Sequence, residues 1–380
     1  IGLSFFVGCG APHSDVGAPL KESLTADATE LESTVREGQS EYPKAMVPAF
    51  QTTDPTFNWG QDYRYNYPGT FAITAPPSVA VRSPGEWETK QALLIGWTGN
   101  FGDVISEIVA SAKGVTDVTV VYDSAQSLND FKYQMQARGV STSGLTYVQL
   151  PIQTMWMRDF GPLSVEANGK LGFVDLRYYP GRLYDDAFPE LLSQKWNVNN
   201  FRMPFDFEGG NFMSDGAGTC YATTAVFGPN SGSTEAQIRS YFDRYLGCEQ
   251  TVFLQPLYGE GTGHIDMFAK LVDKNTIILG KYRGSQSSGG SGAFDSVNAQ
   301  ILDNNAAKLA NVTLLDGSKL SIKRMPMPTN QDNNFRTYVN SQLINGVNLI
   351  PVYTSDDRYQ DEALAVWQQA MPGWQHVAID

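Results

Sequence analysis

A mixed α/β fold follows from two features of the sequence. Strand-length apolar runs recur from residue 92 to the C-terminal end, and segments with helical periodicity lie between them, several closed by glycine. A third feature says where the fold begins. Residues 10 to 61 are rich in Ser, Thr, Glu and Pro and lack sustained apolar periodicity, so they read as a poorly ordered acidic tether ahead of a domain at 62 to 380. Regular structure is expected to start near Pro84-Gly-Glu-Trp87.

In chain order, Ala92 to Trp97 is a strand, followed by a helix near Asp103 to Lys113 with Val104, Ile105, Ile108 and Val109 on one side. Val118 to Tyr122 is the next strand. A helix from about Ser127 to Arg138 stops at Gly139, and Leu145 to Leu150 is again strand. The middle is richer in strands: Gly161 to Val165, Leu171 to Arg177, Phe205 to Phe212 and Thr219 to Phe227. Ser233 is placed to cap a helix in which Ile238, Phe242, Tyr245 and Leu246 share a face and which Gly247 ends. Strands are then expected at Gln250 to Leu257, His264 to Val272 and Thr276 to Leu279. The Gly/Ser-rich stretch 284 to 292 lacks a phosphate-loop pattern and reads as a lid before a helix near Phe294 to Ala310. Val312 to Leu315, Lys319 to Pro326, Tyr338 to Ile344 and Asn348 to Tyr353 complete the strands, and Asp361 to Ala370 is the last helix.

The net charge of −13 and pI near 4.7 argue against nucleic acid or an anionic membrane as partner, and mildly favour cationic ligands. The chain opens with an apolar stretch, residues 1 to 9, whose Phe6-Val-Gly-Cys9 resembles a bacterial lipobox with Phe at its first position. A lipid anchor at Cys9 and export to the cell envelope are the corresponding expectations. In an oxidising compartment Cys220 and Cys248 could be joined; two small buried thiols are the other reading.

With three histidines in the chain, at 13, 264 and 376, imidazole chemistry in the core falls to His264. Asp266 follows two residues later, and on an extended strand positions i and i+2 project from one face. Trp156-Met-Arg158-Asp159 ends a strand at a Gly-Pro turn, and Phe207-Glu208-Gly-Gly210-Asn211 sets paired glycines into another, where something must approach the backbone. The set offers three carboxylates and one imidazole in otherwise apolar surroundings, which calls for a cationic partner. A metal held by His264, Asp159, Glu208 and Asp266 is one option, disfavoured by the single histidine and the absence of paired-histidine spacing. A guanidinium pocket, with two carboxylates gripping the planar cation and His264 moving protons, is the other.

Four segments in this order, Pro84-Gly-Glu-Trp-Glu88, W-x-R-D-x-G-P at Trp156 to Pro162, E-G-G-N at Glu208 to Asn211 and G-H-I-D at Gly263 to Asp266, resemble the bacterial peptidylarginine deiminase and agmatine deiminase family. The resemblance covers about Pro84 to the C-terminal end. It implies a pentein-type α/β propeller of five pseudo-symmetric ββαβ-like repeats around a central site, acting without metal or cofactor. It further implies that Asp159 and Asp266 grip the guanidinium, that Glu208 orients His264 as general acid and base, and that Trp156, Arg158, Gly210 and Asn211 belong to the substrate site. The family's nucleophile lies in a Gly-Gly-x-x-His-Cys segment that would follow Asp380. Arg182, in Tyr178-Tyr-Pro-Gly-Arg182, falls where the peptidylarginine branch has arginines for a substrate carboxylate, which favours an arginine or peptidyl-arginine substrate. Agmatine hydrolysis, or a surface lipoprotein that binds arginine-like cations without turnover, are the alternatives.

Overall fold

The computed structural model describes residues 6–9, 72–179, 181–282, 292–329, 334–354 and 358–380. The tether and the Gly/Ser-rich stretch at 284–291 fall outside them.

Five small sheets repeat one connectivity: an antiparallel pair, a helical crossover, and a third strand parallel to the middle one. In the first unit β1 (Phe6–Cys9) pairs antiparallel with β3 (Lys90–Gly96). The crossover α1 (Gly102–Ala112) leads to β4 (Asp117–Tyr122), and a second helix, α2 (Ala125–Ala137), leads to β5 (Thr146–Gln149), all parallel. The sequence suggested only a leader at Phe6–Cys9; its backbone is an edge strand. The second unit has β2 (Val81–Arg82) on the edge of the hairpin β6 (Leu163–Ala167) and β7 (Lys170–Arg177), then α4 (Leu183–Trp196) and β8 (Asn199–Asp206). A four-residue helix, α3 (Met157–Phe160), joins units one and two. The third unit is β9 (Met213–Ser214), β10 (Thr219–Thr223), α5 (Glu235–Leu246) and β11 (Gln250–Leu254). The fourth is β12 (Ala269–Asp273), β13 (Thr276–Lys281), α6 (Gly292–Asn311) and β14 (Ser321–Pro326). The fifth is β15 (Gln342–Ile344), β16 (Val347–Pro351), α7 (Gln360–Ala370) and β17 (Gln375–Ile379).

Local chemistry accounts for the joints. Asn168-Gly169 and Asn345-Gly346 are two-residue turns with φ positive at both positions, the geometry that matches the twist of a tight hairpin. Thr234 and Gln237 form a reciprocal capping box at the start of α5, one residue beyond the expected Ser233, and Gly247 ends that helix in the left-handed conformation. The middle strands of the units are buried apolar runs, as strands between layers must be. Each unit packs on the next and the fifth returns to the first, where Ile344, Val347, Leu349 and Ile379 share a core with Leu93, Ile105 and Val109. The ring is therefore closed. Asn345 fastens the closure: its side chain accepts from the Lys90 N–H at 2.8 Å and donates to the carbonyls of Lys90 and Val115 at 2.9 and 2.8 Å.

Several expectations are revised. His264 and Asp266 do not lie on a strand, because β12 begins at Ala269. The strand expected through Phe212 ends at Asp206, and residues 209–211 form a 3₁₀ turn. Helix α4 was not anticipated, since Pro189 and two buried acids, Asp185 and Asp186, disguise its apolar face. Cys220 and Cys248 are joined by a disulfide that ties β10 to the end of α5. No described helix is long and apolar enough to cross a membrane.

Candidate active site

The site is built on the linkers between units. Helix α3, between units one and two, is anchored by the buried side chains of Met157 and Phe160 and turns Asp159 inward. The segment after β8 supplies Glu208 and the 3₁₀ turn Gly209–Asn211. The turn before β12 supplies His264 and Asp266, whose N–H donates to the Gly210 carbonyl at 3.2 Å and so binds two linkers together. Glu260 shapes that turn by accepting from the N–H groups of Thr262 and Gly263, and the Thr223 hydroxyl donates to the Gly263 carbonyl.

His264 Nε2 is 3.1 Å from Glu208 Oε2, and Nδ1 is 3.7 Å from Asp159 Oδ1. Ligand atoms of the three residues all lie within 4.8 Å of one another. With Asp266, all four groups are at least nine-tenths buried. Burial disfavours the charge on His264, yet Glu208 and Asp159 outweigh it and pull the imidazole up to about 10. Burial pushes the Asp159 carboxyl up to about 7, with the charges of Glu208 and Asp266 adding to it and His264 opposing. Asp266 is likewise raised by burial, against the pull of His264 and Arg158. One imidazolium facing three carboxylates leaves the pocket short of positive charge.

Gly210 makes this closeness possible. A Cβ there would lie 2.7 Å from Asp159 Oδ1 and nearer still to His264 Nδ1, while one at Gly209 would overlap the Arg158 carbonyl oxygen. Asn211 lies beside His264 and Glu208, but its Oδ1 accepts from the Thr223 N–H at 2.8 Å, so it also fastens the 3₁₀ turn to β10. Trp156 is half-buried among apolar side chains and its carbonyl caps α3. Arg158 points the other way from Asp159, toward Glu86 at 3.0 Å. Arg182 stands at the start of α4, 3.8 Å from Asp185, and does not line the hollow beside His264. Arg177, paired with Asp206 at 2.7 Å, and Tyr178 do line it. Neither was given a role from the sequence, although Arg177 ends an apolar strand and Tyr178 opens the segment that holds Arg182.

The same three-residue cluster could accept a divalent cation, having one nitrogen and two carboxylate oxygens at ligating distance. Three charges of one sign and a single histidine fit a planar cation equally well, with carboxylates on two sides and a proton donor between them.

Solved structures that superpose on this chain include agmatine deiminases. Agmatine deiminase of Enterococcus faecalis superposes with a TM-score of 0.69 at 18% identity, over 81% of this chain and 94% of that one. Over residues 82–380 the chain matches, and belongs to, the family described as Porphyromonas-type peptidyl-arginine deiminase. Relatives in several bacteria carry the name "Putative agmatine deiminase". The one from Photobacterium profundum is 25% identical over 73% of this chain and 77% of its own length. The one from Mycoplasma mycoides subsp. mycoides is 26% identical over 52% of this chain, and the match spans 59% of that protein.

Proposed function

We propose that this domain binds a guanidino compound and hydrolyses it to a ureido product and ammonia, with agmatine the favoured substrate. The observation that carries the reading is the buried Asp159–Glu208–His264 cluster with Asp266 beside it, a pocket deficient in positive charge by its own residues. The guanidinium would sit between Asp159 and Asp266, each accepting charge-assisted hydrogen bonds. A thiolate attacks the guanidinium carbon, a C–S bond forms, the C–N bond breaks, and ammonia leaves with the proton of His264. Water, deprotonated by the same imidazole, then displaces the sulfur. An imidazole held near 10 is charged at neutral pH and ready for the first of these transfers.

The thiolate is not Cys220 or Cys248, which are joined. We place it in a Gly-Gly-x-x-His-Cys segment following Asp380. Linkers after β5, β8 and β11 all carry site residues, and the equivalent linker of the fifth unit follows β17. The names of the relatives support agmatine over peptidyl-arginine, as does the position of Arg182 against Asp185. Export, with a lipid anchor at Cys9, is proposed as well, supported by the disulfide; processing before Cys9 would take Phe6, Val7 and Gly8 out of β1 and leave β3 largely without its antiparallel partner. The test is an ammonia and ureido-product assay of the full-length protein with agmatine, free arginine and a C-terminal-arginine peptide. Activity on none of the three removes the enzyme reading, and retained calorimetric binding would then favour a cation-binding surface protein.

Asp266→Asn keeps the shape and removes a charge, so it is expected to weaken binding of agmatine at least roughly tenfold, or about 1.4 kcal/mol. Glu208→Gln is expected to lower the His264 pKa while leaving affinity nearer to normal. Titration of both variants by calorimetry separates the roles. Unchanged affinity in Asp266→Asn takes that residue out of the site.

Binding is also expected to release protons. A carboxyl held near 7 is partly protonated at neutral pH, and a bound cation favours its ionised form, so affinity should fall as pH drops below about 7. The decline can reach roughly tenfold per pH unit for a single group. Calorimetry at fixed pH in buffers of different ionisation enthalpy reads the released proton directly. Identical heats in all buffers contradict it.

A further inference from the structure

Of the four segments singled out in the sequence, Pro84-Gly-Glu-Trp-Glu88 contributes nothing to the pocket around His264. Its first glutamate nonetheless ties together the supports of that pocket. We propose that Glu86 is a positioning residue for the guanidinium clamp: by holding Arg158 and Lys270 on one carboxylate, it fixes Asp159 and Asp266 in place and keeps both cations off them. The proposal rests on the guanidino reading for what the clamp binds. Arg158 is the chain neighbour of Asp159 on α3, and Lys270 lies on β12, four residues after Asp266. Glu86 Oε2 accepts from Lys270 Nζ at 2.9 Å and from Arg158 Nη2 at 3.0 Å. Its Oε1 accepts from the Leu343 N–H and Gln342 Nε2 on β15, both at 3.1 Å. Gln342 completes the set, because its Oε1 accepts from Arg158 Nη2 at 3.3 Å. Each carboxylate oxygen thus takes two donors, about its full capacity, from segments remote along the chain.

The rest of the segment mounts this one carboxylate. Trp87 packs against the apolar core of units four and five. Glu88 closes the turn: its Oε1 accepts from the Gly85 N–H at 2.7 Å and pairs with Arg82 at 2.7 Å. The Lys90 ammonium donates to the Glu86 carbonyl. Burial works against the Glu86 charge, yet Arg158 and Lys270 outweigh it and hold the carboxyl well below the usual range, so Glu86 is ionised wherever the protein is folded. The clamp shares these cations. Burial raises the Asp266 carboxyl, His264, Arg158 and Lys270 pull it down, and Glu86 pushes it up again. Burial also works against the Arg158 charge, which Glu86, Asp266 and Asp159 support. Arg158 is itself a guanidinium, beside a site built for one. A buried cation stripped of its partner is costly, so without Glu86 both cations would turn to the carboxylates that remain, Asp159 and Asp266, and occupy the acceptors a ligand needs.

An NMR titration of the three histidines in the ligand-free protein, with calorimetry against agmatine and a thermal melt beside it, tests the proposal. Glu86→Gln keeps the shape and removes the counter-charge. In it His264 is expected to titrate lower by about one pH unit or more, because the displaced cations take up carboxylate charge that otherwise holds its proton. Agmatine is expected to bind at least roughly tenfold more weakly. Glu86→Asp, which retains the charge, should bring the His264 midpoint back toward that of the wild type. A residue that serves the fold alone would lower Tm and leave His264 titrating as before, and that result in a folded Glu86→Gln variant overturns the proposal. If Glu86→Gln does not fold, Gln342→Ala decides, since it removes a donor to Glu86 and an acceptor of Arg158 without unpairing a charge: a smaller shift of His264 in the same direction supports the proposal, and an unmoved midpoint overturns it. A wild type that binds no agmatine removes the guanidino reading instead, while the His264 titration still reads whether Glu86 positions the carboxylates.

Discussion

Gly210→Ala is expected to weaken binding of a guanidino ligand by at least roughly a hundredfold, about 2.7 kcal/mol, while the protein still folds. The added methyl would meet both Asp159 Oδ1 and His264 Nδ1 at less than any real Cβ contact. Neither neighbour is the loose end of a flexible chain, since Asp159 sits on the short helix α3 and His264 in a turn held by Glu260 and Thr223. Both must shift, and displacements on the order of 1 Å in a preorganised site are enough to cost about a hundredfold. Calorimetric titration with agmatine beside a thermal melt distinguishes a spoiled site from a spoiled fold. A variant that melts normally and binds normally shows that the cluster is looser than the distances imply.

Removing the covalent link between β10 and the end of α5 is expected to lower stability by roughly 3 to 4 kcal/mol, the entropy of a loop of this size in the unfolded chain. Cys220 and Cys248 are 28 residues apart and both buried. The double variant Cys220→Ala, Cys248→Ala leaves small apolar groups in place, so most of the loss reflects the cross-link and not a cavity. Denaturant unfolding of the variant and of the reduced wild type should agree. A difference from the oxidised protein below about 1 kcal/mol contradicts the estimate, and mass spectrometry showing two free thiols in the native protein removes its basis.

The carboxylates and the imidazole were legible because each stands within three residues of a glycine in apolar sequence, a combination suited to close approach by a polar partner. The reason offered for pairing His264 with Asp266 was wrong in detail. They converge through a turn tied to Gly210, a contact across more than fifty residues that periodicity cannot show. Glu86 was visible as part of a motif but had no assignable role, because its partners are remote along the chain: Arg158 on the linker before unit two, Lys270 in unit four and Gln342 in unit five. Arg182 was placed near a substrate carboxylate by position along the chain, and the fold sets it against Asp185 instead. Helix α4 escaped because its buried acids are satisfied by groups far away in sequence: Asp185 by Gln153 and Thr154, Asp186 by Arg202 and the Tyr178 N–H. Burial looks like exposure when the compensating partner is remote. The Asn-Gly pairs at 168 and 345, by contrast, were legible hairpin signals that periodicity alone passes over.

The clasp that Asn345 makes on Lys90 and Val115 bears on how the chain is made. A residue from the last fifth of the sequence fastens the start of β3 and the turn before β4, so during synthesis the N-terminal unit waits, one flank uncovered, until some 255 further residues have emerged. At typical elongation rates that interval is on the order of ten seconds or more, long beside the microseconds in which a hairpin forms. Early units can fold locally, but cooperative stability arrives only when the circle shuts, and an open arc displays apolar flanks to any neighbour. Slow maturation and a steep, single unfolding transition are the expected consequences of this long-range contact.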